Sequence, residues 1–167
     1  MENKLDKILI QLINEELDKK QTQVISAFPG VGKSFIFKNN KDKNEIILDS
    51  DSSKFSWNKP GERNPDFPNN YIKHIQDNIG KANKIMVSSH KDVRDALVNN
   101  KIPFTLVYPD RSLKDEYIER YSKRGNDEKF IELLKKNWDL WIDELEQQTD
   151  CDKIVLKSGE YLGDVIK

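Results

Sequence analysis

The sequence predicts a three-layer α/β fold in which a five-stranded parallel sheet has helices on both faces. Five apolar runs have the length of a strand, and segments with helical spacing separate them. The runs are continuously apolar rather than alternating, which is typical of strands buried on both faces. Strands that alternate with helices favour parallel pairing through crossover connections, so we expect one parallel sheet.

The predicted elements follow a regular order along the chain. Residues 3–20 carry apolar side chains at helical spacing, which predicts an amphipathic helix packed on the domain. A strand is expected at 23–27, and a helix then begins near Gly32 or Lys33. The other strands are expected at 45–49, 84–89, 104–108 and 153–156, and the other helices at about 69–82, 91–100, 112–123 and 127–148, with a short one after Gly159. The stretch 52–70 holds three of the six prolines and predicts an irregular excursion.

Composition limits the class of protein. The 167 residues fit a single domain, residues 1–167, with a core of its own. The 28 basic and 29 acidic residues nearly cancel, so bulk charge argues against nucleic acid or membrane surfaces as partners. Cys151 is the only cysteine, and the first residues hold no long apolar block. We therefore expect a cytoplasmic protein without a disulfide, a zinc site or a signal peptide.

Arginine is rare and clustered in this lysine-rich chain. Only five of the 28 basic residues are arginine, and all five lie between positions 63 and 124: Arg63, Arg94, Arg111, Arg120 and Arg124. A bias towards lysine codons explains the scarcity but not the clustering. Because arginine grips phosphate through two parallel hydrogen bonds, these positions are candidates for oxyanion contacts.

The segment from Ala27 to Ser34 reads AFPGVGKS and lies between the first predicted strand and the next helix. It matches the phosphate-binding loop pattern GxxxxGK[ST], except that Ala27, which ends the strand, replaces the first glycine. In this pattern the glycines let the backbone approach phosphates, Lys33 would reach the β and γ phosphates, and the Ser34 hydroxyl would ligate Mg²⁺. An ordinary strand-to-helix turn is the alternative. The residues expected to bind ATP are Pro29, Gly30, Val31, Gly32, Lys33, Ser34 and Phe35.

Two acidic residues follow the second predicted strand. Asp49 and Asp51 occupy alternate positions, so their carboxylates would point the same way at the carboxyl edge of the sheet. That edge is where ligands bind in open α/β sheets. Asp49 would hold Mg²⁺ together with Ser34, and Asp51 would orient or deprotonate an acceptor. The alternative is that both residues shape a turn, as aspartate often does.

These two motifs resemble those of known enzymes. The loop with its flanking strand and helix resembles P-loop nucleotide-binding proteins, and the Asp-Ser-Asp run resembles small P-loop kinases of the shikimate and gluconate kinase type. The resemblance implies a P-loop NTPase fold that uses ATP and Mg²⁺, with the metal on Ser34 and Asp49 and the acceptor on Asp51. The sequence departs from the family at the third strand, which ends in VSSH without a Walker B aspartate.

The segment 52–82 is expected to bind the acceptor. It contains one arginine and several aromatic residues, and aromatic faces can stack a nucleobase while an arginine grips the phosphate. The same rings can simply pack the segment on the body of the domain. The residues concerned are Arg63 with Phe55, Trp57, Phe67 and Tyr71.

Two residues after the third strand are further candidates. Arg94 resembles the arginine that nucleoside monophosphate kinases place there for the acceptor phosphate, and a surface pair with Asp92 or Asp95 is the alternative. His90 has the chemistry of a catalytic acid or base, but we expect it to cap the next helix. The residues expected to bind the acceptor are Asp51, Phe55, Trp57, Arg63 and Arg94.

The segment 111–128 resembles the arginine-bearing lid of nucleoside monophosphate kinases. Arg120 and Arg124 lie four residues apart, hence on one helical face. Two guanidinium groups aimed together would stabilise the charge of a transferring phosphoryl group. The alternative is two ordinary surface ion pairs, with Glu116 and Glu128 as the partners.

The motifs together predict a function. We expect an ATP-dependent kinase that moves the γ-phosphoryl of ATP to a nucleoside or deoxynucleoside monophosphate, with Mg²⁺ bridging the phosphates. Lys33, Asp51, Arg120 and Arg124 are the expected catalytic residues. A shikimate-kinase-like enzyme for a small metabolite and a non-kinase P-loop switch or ATPase are the alternatives. The oligomeric state is open between a monomer and a homodimer.

Overall fold

A computed structural model describes the backbone of residues 3–166 and the side chains of residues 3–16 and 22–166. The strands are β1 (Gln23–Ala27), β2 (Ile47–Asp49), β3 (Trp57–Lys59), β4 (Glu62–Arg63), β5 (Lys84–Ser88), β6 (Thr105–Pro109) and β7 (Asp152–Leu156). The helices are α1 (Lys4–Gln21), α2 (Lys33–Asn39), α3 (Ser53–Ser56), α4 (Asn69–Asn78), α5 (Lys91–Asn99), α6 (Lys114–Arg124), α7 (Glu128–Gln147) and α8 (Leu162–Val165).

The main sheet is parallel and has five strands in the order β2-β5-β1-β6-β7, with helices against it. The predicted α/β class and the five strands are therefore confirmed. The central strand β1 shows why the apolar runs are continuous, because Ile25 has no exposed surface and neither does Met86, its partner on β5. At the edge, β7 is largely exposed, so burial on both faces holds for the inner strands only.

The register of the strands brings three loop segments together. Ala27 at the end of β1 pairs with Ser88 at the end of β5, and Asp49 at the end of β2 pairs with Met86. Because all these strands run in the same direction, the residues that follow them lie at one edge of the sheet. The loop after β1 and the acids after β2 are thereby neighbours.

Helix α1 forms as predicted, but its predicted packing is wrong. Every described side chain from residue 4 to residue 16 is exposed, and Leu5 and Leu9 keep 70% and 57% of their surface accessible. Helical spacing specifies that the apolar side chains share a face, whereas what covers that face depends on where the helix lies. Leu17, which continues the same pattern, lies outside the described side chains.

The stretch 52–70 is more regular than predicted. Helix α3 leads directly into an antiparallel hairpin of β3 and β4, in which Trp57 pairs with Arg63. The turn between the strands contains Gly61 at φ 80°, a left-handed conformation that glycine adopts without strain. The prolines are compatible with this hairpin because none of them lies within β3 or β4.

The remaining helices close the core around the sheet. Trp138 and Trp141 lie three residues apart on α7, a spacing that predicts two core residues. Trp138 is buried and donates its indole N–H to the carbonyl of Arg111 at 2.9 Å, but Trp141 is only half-buried. In the described part of the chain, no helix combines the length and the apolar character needed to cross a bilayer.

Candidate phosphate and acceptor site

The loop between β1 and α2 has the backbone of a tight, glycine-dependent bend. Gly30 and Gly32 have φ values of 86° and 104°, which other residues adopt only under strain. A Cβ on Gly30 would also lie 3.0 Å from the ring of Tyr121, so a larger residue has no room there. Ala27, by contrast, is an ordinary strand residue with no exposed surface, and this explains why the first glycine of the pattern is dispensable.

Lys33 lies at the start of α2 with its ammonium folded back over the loop. Its Nζ donates to the carbonyl oxygen of Ala27 at 2.7 Å. Burial lowers the pKa of Lys33 to about 8, although the nearby charges of Asp49 and Asp51 act in the opposite direction. A cation held in a desolvated loop gains strongly from a polyanion, so Lys33 is the group best suited to bind phosphate.

Ser34 and Asp49, the two residues expected to hold the metal, are in direct contact. The Ser34 hydroxyl donates to Asp49 Oδ2 at 2.9 Å, which joins the loop after β1 to the end of β2. Hydroxyl and carboxylate oxygens are ligands that suit Mg²⁺, an ion that usually takes few protein ligands and completes its shell with water and phosphate. Among the described side chains, residues 3–16 and 22–166, no group of three or more His, Cys, Asp or Glu gathers as a metal site.

Asp51 lies two residues after Asp49, and its side chain both stabilises a turn and lines a cavity. Its Oδ1 accepts the backbone N–H of Ser53 at 2.9 Å, which is the turn role given as the alternative. The same side chain is exposed and lines a cavity of about 720 Å³ next to Pro29 of the loop. A carboxylate fixed by a turn and open to a cavity is well placed to meet an acceptor.

Tyr71 of α4 holds the two strand ends in place. Its hydroxyl donates to the carbonyl of Ser50 at 2.5 Å and accepts the N–H of Ser88 at 3.3 Å. Burial raises its pKa, so the phenol stays a donor at any working pH. Tyr71 was expected beside the acceptor, but it has no exposed surface and instead positions the backbone between Asp49 and Asp51.

The cavity wall contains most of the predicted acceptor residues. Arg63 lies over the ring of Trp57 at 4.7 Å, and both line the cavity together with Phe67 and Trp141. Phe55 does not: its ring packs on Tyr71 and His74 at 5.1 and 4.8 Å behind the wall. The structure therefore assigns Phe55 to internal packing, which was the alternative for these aromatic residues.

Arg94 lines the cavity, but its guanidinium is occupied by protein groups. Only 3% of its surface is exposed, Nε donates to the Ser89 carbonyl at 2.8 Å, and Nη1 donates to Gln148 Oε1 at 2.5 Å. A carboxylate oxygen of Glu144 on α7 lies 3.7 Å from Nη2. The partners of Arg94 are thus Ser89, Gln148 and Glu144, and the surface pair with Asp92 or Asp95, which was the alternative, does not form.

His90 occupies the cap position of α5 without making a capping hydrogen bond. Its side chain faces the cavity instead. Desolvation lowers its pKa, and the cations of Lys33, Arg63 and Arg94 add to this effect, so the ring is neutral near pH 7. A neutral imidazole in this wall is able to accept or donate a hydrogen bond to a bound molecule.

The two arginines of α6 have different surroundings. Arg120 is largely buried between the rings of Tyr117 and Tyr161, at 4.4 and 4.0 Å, and pairs with Glu116 at 3.2 Å. Arg124 is exposed, and among the described acidic side chains none forms an ion pair with it. The expected pair of Arg120 with Glu116 is present, whereas that of Arg124 with Glu128 is not.

Arg124 remains within electrostatic range of the loop lysine. Its charge lowers the pKa of Lys33, and its guanidinium carbon lies 5.6 Å from the ring centre of Tyr121. Of the two arginines, only Arg124 therefore has a guanidinium free to meet a phosphoryl group. Phe35, expected near ATP, keeps 70% of its surface exposed and, like Gly30 to Ser34, does not line this cavity.

Several residues of the site carry no local sequence signal. Tyr121 and Tyr161 contact the loop after β1, and Trp141 and Glu144 line the cavity, all from positions about 90 or more residues beyond the loop. Aromatic and acidic residues at helical spacing usually indicate packing or a solvated face, so only the three-dimensional arrangement identifies these four.

Comparisons with known proteins leave the site to be judged on its geometry. No family model matches the sequence, and neither the curated proteins nor the solved structures give a significant match.

Proposed function

We propose that this protein is an ATP-dependent phosphotransferase with a P-loop NTPase fold. The observation that carries the proposal is the meeting of Lys33, the Ser34–Asp49 pair and Asp51 at one edge of the sheet, beside a cavity of about 720 Å³. Phosphoryl transfer needs a phosphate cradle, a metal position and an acceptor pocket next to each other. This edge has residues suited to each of the three.

In this proposal each residue at the edge has one role. Lys33 binds the β and γ phosphates through its ammonium, together with the backbone amides of the loop. Ser34 and Asp49 would hold Mg²⁺, which would offset the negative charge of the phosphate groups during transfer. Arg124 approaches the transferring group from α6, and Asp51 faces the acceptor.

The acceptor proposed first is a nucleoside or deoxynucleoside monophosphate. Arg63 and Trp57 support it, because their stacked pair offers an aromatic face for a base and a guanidinium for a phosphate. Arg63 has no carboxylate partner among the described residues, so its hydrogen-bond donors are available to a ligand.

A second acceptor class, a small hydroxyl-bearing metabolite, is favoured by the charges in the same cavity. Lys91 is paired with Asp95 at 2.5 Å and Arg94 with Glu144 at 3.7 Å, whereas Asp51 in the same wall has no ion-pair partner among the described residues. A phosphate acceptor is already ionised near pH 7 and needs no base. A hydroxyl acceptor does need one, and Asp51 would supply it.

An acceptor screen tests both versions. ADP release is measured with Mg²⁺ and ATP against nucleoside monophosphates, nucleosides and small hydroxy acids, with Lys33→Met as the control for contaminating activity. For a hydroxyl acceptor, Asp51→Asn should lower kcat by about 10² to 10⁴, whereas for a phosphate acceptor the loss should be small. Asp66→Asn, which changes an exposed carboxylate outside the cavity wall, is the matched control.

Three outcomes would overturn the proposal. ADP release that does not depend on any acceptor would indicate an ATPase. Tight ATP binding without release would indicate a nucleotide-binding switch, which is the alternative from another class. If the Lys33→Met variant turned over as fast as the wild type, Lys33 would not belong to a phosphate site.

A further inference from the structure

The loop after β1 is held from outside at three consecutive carbonyl groups. The Tyr121 hydroxyl donates to the Pro29 carbonyl, and Arg120 Nη1 donates to the Gly30 carbonyl at 3.1 Å. The backbone N–H of Leu162 donates to the Val31 carbonyl at 2.8 Å. We call these three donors, two from α6 and one from α8, the carbonyl clamp.

Peptide geometry gives the clamp a consequence for the other side of the loop. In a trans peptide the carbonyl of one residue and the N–H of the next point in opposite directions. With the three carbonyls held towards α6 and α8, the N–H groups of Gly30, Val31 and Gly32 are turned to the opposite side. Among the described groups, the backbone of 3–166 and the side chains of 3–16 and 22–166, the N–H groups of Gly30 and Gly32 have no acceptor, and that of Val31 has only a long one, Phe28 O at 3.4 Å.

Arg120 is the central member of the clamp. Besides the Gly30 carbonyl, it donates to the Glu160 carbonyl at 3.2 Å, so one guanidinium ties the loop to the segment before α8. Its plane lies between two tyrosine rings, and its side chain is only 11% exposed. A lysine offers neither a planar group to stack nor donors in two fixed directions.

Glu116 fixes the other end of this arrangement. Its carboxylate pairs with Arg120 through one oxygen, while the other accepts the Ser158 hydroxyl at 2.7 Å and the Gly159 N–H at 3.1 Å. The segment after β7 is thereby bound to α6, and it brings Leu162 to the loop. Both terminal nitrogens of Arg120 are thereby hydrogen-bonded to protein oxygens without a ligand.

We infer that Arg120 and Tyr121 are positioning residues that preform the phosphate-binding loop, and that Arg120 does not touch the transferring phosphoryl group. The inference rests on the proposed function, because the amides it orients are those proposed to bind the triphosphate. It revises the catalytic role expected for Arg120 and leaves that role to Arg124. Preformed amides cost no rearrangement when the anion arrives, so the clamp acts on nucleotide affinity.

Binding and kinetics test the inference on the full-length protein. Arg120→Lys and Tyr121→Phe, which keep charge and ring respectively, should each weaken the binding of Mg²⁺ with the analogue ATPγS by about tenfold, measured by calorimetry. The KM for ATP should rise in parallel while kcat at saturating ATP stays within about threefold of the wild type. Arg111→Lys is the matched control, because Arg111 pairs with Asp139, Asp143 and Glu146 away from the loop.

A second readout does not depend on turnover. The chain has seven glycines, so labelling with ¹⁵N-glycine gives seven amide signals, of which Gly30 and Gly32 report on the loop. In Arg120→Lys these two signals should shift or broaden in the absence of nucleotide, while that of Gly61 in the hairpin turn should not. The same comparison in Arg111→Lys should leave all seven unchanged.

The outcomes separate the two proposals. If the wild type binds no ATPγS but Gly30 and Gly32 respond to Arg120→Lys, the proposed function fails and the clamp stands. If the wild type binds and both variants bind equally well, or if kcat falls while affinity is kept, the positioning role is overturned.

Discussion

The charge of Lys33 makes the affinity for nucleotide depend on pH in a defined way. Burial lowers its pKa to about 8 in the free protein, and Asp49 and Asp51 only partly oppose this effect. Below pH 8 the ammonium is charged, at pH 8 about half of the molecules carry it, and at pH 9 about a tenth do. A bound triphosphate favours the charged form, so the pKa of Lys33 rises on binding.

The size of the effect follows from that shift. Above pH 8 most protein molecules must first take up a proton at Lys33 in order to bind the triphosphate, which weakens the observed affinity. The affinity should therefore be nearly constant from about pH 6 to 7. From pH 7 to pH 9 it should fall by about tenfold, which is about 1.4 kcal/mol. At pH 8 binding should take up about half a proton per protein molecule. The direction is set by the sign of the shift, since a lysine with a lowered pKa loses its charge as the pH rises through 8.

Calorimetry measures both quantities. Mg²⁺ with ATPγS is titrated into the protein at pH 7, 8 and 9 in two buffers with different ionisation enthalpies, and the difference in heat gives the proton uptake. Lys33→Arg keeps a permanent charge and should bind the ligand without taking up a proton at this position. Any proton uptake measured with this variant comes from the ligand itself and is subtracted from the wild-type value. Lys38→Ala, an exposed lysine at the other end of α2, should behave as the wild type. A wild-type affinity that does not change between pH 7 and pH 9 would refute the reasoning.

Three further predictions concern single residues of the site. Arg124→Lys should lower kcat without changing the melting temperature, because lysine lacks the planar fork that grips a phosphoryl group; steady-state kinetics and calorimetric melting measure the two. Tyr71→Phe should lower the free energy of unfolding by about 1 to 3 kcal/mol, measured in urea, because the Ser50 carbonyl and the Ser88 N–H lose a buried partner. Asp49→Asn should raise the Mg²⁺ concentration needed for ATPγS binding by about tenfold, measured in a metal titration, because a neutral amide is a weaker ligand.

Each of these predictions has a result that contradicts it. A melting temperature that drops with kcat in Arg124→Lys would assign that residue to an ordinary stabilising role. Unfolding of Tyr71→Phe at the wild-type urea concentration would show that its hydroxyl contacts are replaced by water. An unchanged Mg²⁺ requirement in Asp49→Asn would limit Asp49 to its hydrogen bond with Ser34.

The sequence by itself predicted the layout of the sheet because the signals are local. Apolar runs such as the one ending at Ala27 specify strands, and the glycines that follow specify a bend with positive φ values. The positions of Lys33 and Ser34 directly after the loop, and of Asp49 and Asp51 two residues apart, are likewise set by the local sequence. These predictions needed only that parallel strands end at the same edge.

Surface and excursion segments were predicted less well for a physical reason. Helix α1 has the expected spacing but an exposed apolar face, and the hairpin of β3 and β4 formed where an irregular segment was expected. Periodicity reports which side chains share a face, and prolines report which backbone conformations are excluded. Neither pattern indicates which other part of the protein packs against that face.

The roles of the arginines were decided by tertiary structure alone. Arg94, Arg120 and Arg124 have the same chemistry in the sequence, yet the first is bound to Ser89 and Gln148 and the second to the loop after β1. Of these three, only Arg124 has no hydrogen bond or ion pair among the described residues. A guanidinium is available to a ligand only when no protein acceptor satisfies it, and two of these acceptors, Gln148 for Arg94 and the Gly30 carbonyl for Arg120, lie 54 and 90 residues away in the chain. The sequence thus determined the glycine-dependent loop after β1 and the acids at the end of β2, and the packing of distant helices determined which arginine side chains remain available to a ligand.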